Sequence, residues 1–132
     1  MWWNRNTIEL PLEKDGGLYY IKVYKDGQDF GFILDSGANI NKICRTVVDE
    51  LNLPTYEKEM STMIADGSYS TQVQDMVEIL VCGSSHPVEC VVCPDYEIPS
   101  FDSHIIGLLG LPFLKHCILD FPKEKLFYKK DS

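Results

Sequence analysis

The sequence predicts a mostly-β fold, a barrel or sandwich with one or two short helices. Three observations carry that reading. Runs rich in aromatic and β-branched residues recur from Leu18 to Tyr128, with turn signals between them every ~8–12 residues. Only one segment of any length, Arg45 to Leu51, has helical periodicity. Leu, Ile, Val and Phe supply 39 of the 132 residues. That is about 30%, above the ~20% floor below which so charged a chain stays disordered, so a core can form. The length suits one domain over 1–132, with its core at about 18–128.

The elements follow in order. Met1 to Thr7 and Lys129 to Ser132 read as loose ends. Leu18 to Tyr24 is a strand, Asp26-Gly27 turns the chain, and Asp29 to Leu34 returns as the second arm of a hairpin. After a turn at Asp35-Ser36-Gly37 comes the helix, Arg45 to Leu51, with Val47, Val48 and Leu51 on one face. Asn52 can end it in the left-handed conformation, and Pro54 keeps it from resuming. Strand-like runs resume at Glu59 to Ala65, Gln72 to Cys82 and Val88 to Cys93, separated by turns at Asp66-Gly67 and Gly83 to Pro87. A second short helix is expected at Pro112 to His116, with proline at an early helical position. Cys117 to Phe121 and Lys125 to Tyr128 close the chain as strands.

Charge and composition exclude several functions. The net charge is −8 and the Lys and Arg residues are scattered, whereas a phosphate backbone needs them clustered, so no nucleic-acid partner is expected. The longest apolar stretch, Ile105 to Leu114, is ten residues broken by Gly107, Gly110 and Pro112. A bilayer span needs ~20, so no membrane partner is expected either. The first residues lack the charged start and apolar run of a signal peptide, and the last match no prenylation pattern. Five cysteines, an odd number, fit reduced thiols and a cytoplasmic location.

The sharpest local feature is Phe32-Ile33-Leu34-Asp35-Ser36-Gly37-Ala38. A buried apolar strand ending in a carboxylate needs an account, because a buried Asp is costly unless bonded or paired. On the tripeptide alone, a tight turn suffices, with Asp35 and Ser36 bonding nearby amides. A second feature changes the balance: Ile106-Gly107-Leu108-Leu109-Gly110-Leu111-Pro112-Phe113-Leu114, followed by Ile118-Leu119-Asp120-Phe121. There a glycine between apolar residues and a short helix suits close packing against a crossing backbone.

With these two features the sequence resembles the retropepsin-like aspartic proteases, over about Leu18 to Tyr128 and in the family's order. The resemblance implies a closed acid-protease-type β-barrel and a homodimer cutting a peptide or protein substrate. Asp35 of each copy would share one water, with no cofactor and no metal. It implies that Ser36 and Gly37 brace the carboxylates, and that Ala38 and Asn39 line the cleft. The hairpin tip at Ile64, Ala65, Asp66 and Gly67 would be the flap over the substrate, although retroviral flaps are richer in glycine. Leu109 and Gly110 would be structural. A competing reading from a different class is an inactive retropepsin-like module that dimerises or holds peptides; a β-domain with no peptide site is a third.

Other residues carry blander readings. Cys90-Val91-Val92-Cys93 has a CxxC spacing, but on a strand residues three apart point to opposite faces, so a shared metal is disfavoured. Cys82 and Cys90 could face each other across a hairpin, though buried free thiols are the simpler expectation. His86, His104 and His116 fit no HExxH or GxSxG pattern and read as loop or surface residues. Asp120 reads as structural, and Trp2 and Trp3 as packing or dimer contacts.

Overall fold

The computed structural model describes residues 7–81, 87–99 and 104–129. Eleven strands and two short helices are present there. They run β1 (Thr7–Pro11), β2 (Glu13–Asp15), β3 (Leu18–Lys25), β4 (Gln28–Leu34), β5 (Lys42–Cys44), α1 (Arg45–Glu50), β6 (Tyr56–Met63), β7 (Tyr69–Leu80) and β8 (Pro87–Cys93). After a 3-10 turn at Asp95–Glu97 follow β9 (Ile105–Leu109), α2 (Leu111–Leu114), β10 (Cys117–Asp120) and β11 (Lys125–Lys129). No helix among the described residues is long and apolar enough to cross a membrane.

The mostly-β expectation holds, and the closed barrel does not appear in the pairing. The strands form a three-stranded sheet, β1-β11-β10, and an eight-stranded sheet, β2-β3-β4-β9-β5-β8-β7-β6. Among the described residues neither ladder returns on itself: β2 and β6 are the open edges of the larger sheet.

Local chemistry explains the hairpins. Asp26 and Gly27 have φ of 52° and 81°, the paired positive values of a two-residue turn that matches strand twist, and Lys25 faces Gln28 across it. The turn between β2 and β3 is built the same way on Gly16 and Gly17, with Asp15 opposite Leu18. β1 and β2 thus lie ahead of the core expected from Leu18, and Thr7 opens a strand opposite Lys129. In α1 Val48 is buried, Val47 and Leu51 pack partly against the core, and Asn52 ends the turn at a φ of 52°.

β9 is the structural centre. All five of its residues are buried, with β4 parallel on one side and β5 antiparallel on the other. Phe32, Ile21, Ile43, Leu109, Phe113 and Leu126 are almost wholly removed from water around it. A strand buried on both faces loses polar alternation and reads as a plain apolar run.

Several expectations end here. Across β7 and β8 the register sets Cys90 opposite Val77. Cys82, His86, Gly83 to Ser85, Trp2 and Trp3 lie outside the described residues. Cys90 and Cys93 are both buried, their sulfurs directed to separate carbonyls, of Val88 and Ile43. Burial pushes the two thiols up, to about 12 and about 11 respectively. His104 and His116 lie in turns and are half-buried, beside Tyr20 and Tyr128. Asp120 accepts the amide of Lys123 at 3.2 Å, a turn-fixing role.

Candidate active site

β4 and β5 are consecutive in sequence but not adjacent in the sheet, because β9 lies between them. The connecting segment, 35–41, must therefore pass over the C-terminal end of β9. Asp35 begins that passage. Its amide donates to the Leu109 carbonyl at 2.9 Å, extending the β4–β9 ladder by one bond. Its carbonyl accepts from Ala38 at 3.1 Å, and its Oδ1 accepts from the Gly37 amide at 2.9 Å. The backbone is thus fixed while the carboxylate is exposed to solvent. Ser36, Gly37 and Asn39 are exposed too, and Ala38 is half-buried.

The far end of the crossing is held by a residue that sequence reasoning missed. Asn41 is 5% exposed, the one buried polar residue among those described. Its Oδ1 accepts the Gly110 amide at 2.9 Å, its Nδ2 donates to the Glu89 carbonyl at 3.1 Å, and its own carbonyl accepts from Val91 at 2.8 Å. One side chain ties the Asp35 segment, the end of β9 and β8 together. Nothing in Asn39-Ile40-Asn41-Lys42 separates a buried asparagine from a loop asparagine, so no sequence signal marked it.

Gly110 is required by space. A Cβ there would sit 2.5 Å from the Ala38 carbonyl oxygen and 2.6 Å from that of Ile40, both backbone atoms that cannot swing aside. The expected crossing backbone is real, and it is the Asp35 segment itself. Leu111 then donates its amide to the Ala38 carbonyl at 2.9 Å as α2 begins. Gly107 is under the same pressure from the Lys42 carbonyl and the Phe32 ring.

The residues expected at a flap form the tip of a hairpin. β6 and β7 form a hairpin paired from Tyr56–Met76 to Met63–Tyr69. At its tip Ile64 donates to Ser68 at 2.8 Å, Gly67 donates to Ile64 at 2.9 Å, and Gly67 has a φ of 87°. Asp66 accepts the Ser68 hydroxyl at 2.6 Å and its amide at 2.9 Å. Those bonds, the hydroxyl first, hold its carboxyl below the usual range. Ile64, Ala65, Asp66 and Gly67 are all exposed, and among the described residues no hydrogen bond or ion pair joins them to the Asp35 segment.

The body of the hairpin does approach that segment. A cavity of about 350 Å³ opens between Asn39, Ile40 and Asn41 on one side and Met60, Met76 and Phe113 on the other. A second, of about 210 Å³, lies between Ile40 and Lys42 and the hairpin's Thr62, Gln72 and Gln74. The hairpin base is pinned by Lys58 Nζ on Glu89 Oε1 at 2.8 Å and by the Tyr56 hydroxyl on Glu89 Oε2 at 2.5 Å. Lys58 first, then Tyr56, hold the Glu89 carboxyl below its ordinary value. Among the described residues no group of three or more His, Cys, Asp or Glu is placed to hold a metal ion.

No curated protein matches the sequence. Among solved structures, the fold is similar to that of a retropepsin-like aspartic protease from Rickettsia conorii, with a TM-score of 0.52 and 18% identity. That match covers 94% of this chain and 90% of the other. A family model described as aspartyl protease matches residues 21–113, a span that opens in β3, takes in the Asp35 crossing and closes in α2. The interlocked strands and the segment threaded over them are thus what is shared, and the chain belongs to the aspartyl protease family, with a retropepsin-like fold.

Proposed function

We propose that the chain is an aspartic endopeptidase that works as a homodimer, with Asp35 of each copy flanking one water. The observation that carries this reading is the state of Asp35: backbone locked at the end of a buried strand, carboxylate exposed to solvent with one oxygen held by the Gly37 amide. A turn-forming Asp needs no such anchoring to β9. The Asp-Ser-Gly-Ala run occurs once in the chain, so a two-carboxylate site takes its second member from a second copy. Exposed Leu111 and Ile118 lie close after Gly110, on α2 and on β10, an open sheet edge, and support contact there.

Two carboxylates ~3 Å apart repel by roughly 5 kcal/mol at an effective dielectric of 20, so one proton is shared between them. The ionised Asp35 takes a proton from the water as its oxygen attacks the peptide carbonyl, and the protonated Asp35 gives its proton to the carbonyl oxygen. Collapse of the tetrahedral species breaks the C–N bond: the leaving nitrogen takes a proton from the newly protonated Asp35, while a hydroxyl of the diol gives its proton to the other, which restores the shared proton. Ser36 and Gly37 hold the carboxylates in register, Ala38 and Asn39 line the cleft, and the tip at Ile64, Ala65, Asp66 and Gly67 folds over the bound peptide.

Peptide-library cleavage by the wild type and by Asp35→Asn, at mildly acidic pH, tests the assignment. The variant should fold and dimerise as before yet lose all but a few per cent of turnover. Equal cleavage by both proteins would remove Asp35 from the chemistry, and peptide binding without cleavage by the wild type would favour a holding module.

A further inference from the structure

The smaller cavity carries a charge pattern that the hydrolytic chemistry does not use. Lys42 Nζ and Glu97 Oε1 lie 2.9 Å apart on its wall, with side chains 26% and 34% exposed. Thr62, Gln72 and Gln74 of the hairpin line the same space, and the rest of the wall is apolar, with Ile40, Met60 and Val92 among it. One cation, one anion and three neutral hydrogen-bonding side chains thus share about 210 Å³ with an apolar wall that suits the aliphatic stem of one amino-acid side chain.

Its position relative to Asp35 follows from the strand ladder. Lys42 of β5 faces Leu108 of β9, which in turn faces Ile33 of β4, two residues before Asp35. Two strand spacings are about 10 Å, and an extended peptide advances ~3.3 Å per residue. A peptide centred on Asp35 would therefore bring a side chain only a few positions from the cut to Lys42 and Glu97.

The geometry points to this cavity as a specificity subsite for a neutral, hydrogen-bonding substrate side chain, a carboxamide or a hydroxyl. This rests on the proteolytic reading above. A carboxamide can accept from Lys42 and donate to Glu97 without breaking their pair. An acidic side chain meets Glu97, and a basic one meets Lys42, so each loses on one wall what it gains on the other. Lys42 and Glu97 are specificity residues, distinct from the reacting carboxylates.

Cleavage profiling of one peptide library by wild type, Glu97→Gln and Lys42→Gln reads this directly. At a single position near the cut, the wild type should favour Gln, Asn, Ser or Thr over charged residues. Glu97→Gln leaves the cation unopposed and should move that position toward Asp and Glu by about three- to fivefold; Lys42→Gln should move it toward Lys and Arg by a similar factor. Both shifts should shrink in high salt. Cleavage with unchanged profiles in both variants, or shifts of the same sign, overturns the subsite while leaving proteolysis standing. Failure of the wild type to cut any peptide, or equal cutting by Asp35→Asn, overturns the proteolytic reading and the subsite with it.

Discussion

Asn41 and Gly110 act on one contact from its two sides. Asn41→Ala leaves the buried Gly110 amide without its partner, which costs about 1–3 kcal/mol, and strands the half-buried Glu89 carbonyl at a smaller cost. Gly110→Ala drives a methyl group into two backbone carbonyls, an overpacking cost of about 1–3 kcal/mol or more. Because the crowded segment shifts once in either case, urea unfolding of the double variant should show a loss smaller than the sum of the singles by at least about 0.5 kcal/mol. Strict additivity would mean the two residues do not share a contact. At this scale Asp35 and Gly110 were legible in the sequence, since a carboxylate after three apolar residues and a glycine among leucines both break a pattern. Asn41 was not, because burial of a polar side chain depends on what crosses it, and its partner lies 69 residues away.

The β6–β7 hairpin is long, exposed along most of β6, and fastened at its base through Glu89. The carboxyl of Glu89 is held low, so its folded pKa lies below its unfolded one. Stability from that group is present above the unfolded value and is lost as pH falls through the folded one. The group is partly exposed, which keeps the effect modest. Protection of the β6 amides, relative to their intrinsic exchange, should therefore fall more than that of β3 as pH drops below about 4.5, and Glu89→Gln should flatten the difference. An equal loss of protection in both strands would detach the clasp from hairpin motion. Elements were read best where turn chemistry was explicit, as at Asp26-Gly27 and Asp66-Gly67. Gly16-Gly17 offered the same signal for β2, while β5 is three residues long and too short for any period to show.

Over the whole molecule, the proposed homodimer makes protein concentration a variable of the activity. With half a site per copy, specific activity should fall on dilution below the dimer dissociation constant, and excess Asp35→Asn should suppress wild-type activity by forming mixed pairs. The rate should follow a bell in pH whose limbs belong to the carboxylate pair rather than to either member. Activity strictly first order in protein at every dilution, untouched by the variant, would defeat the shared site. Barrel closure is not borne out by the pairing of the described residues, because strand content predicts sheets but not whether the last edge finds the first.

The threading of β9 between β4 and β5 also sets a clock. Leu34 meets Leu109, and Asn41 meets Gly110, only once residues about 70 positions further on exist. Contacts of such sequence separation form slowly because loop closure precedes any gain from pairing. On a ribosome the Asp35 segment has nothing to lie across until residues near 110 have emerged, so the nascent chain is a latent form of the protein. In pulse-labelled exchange during refolding, the Asp35 amide should become protected later than the amides of the β3–β4 hairpin; simultaneous protection would show that the crossing forms without β9. On the proteolytic reading, a half-made chain would carry no assembled site.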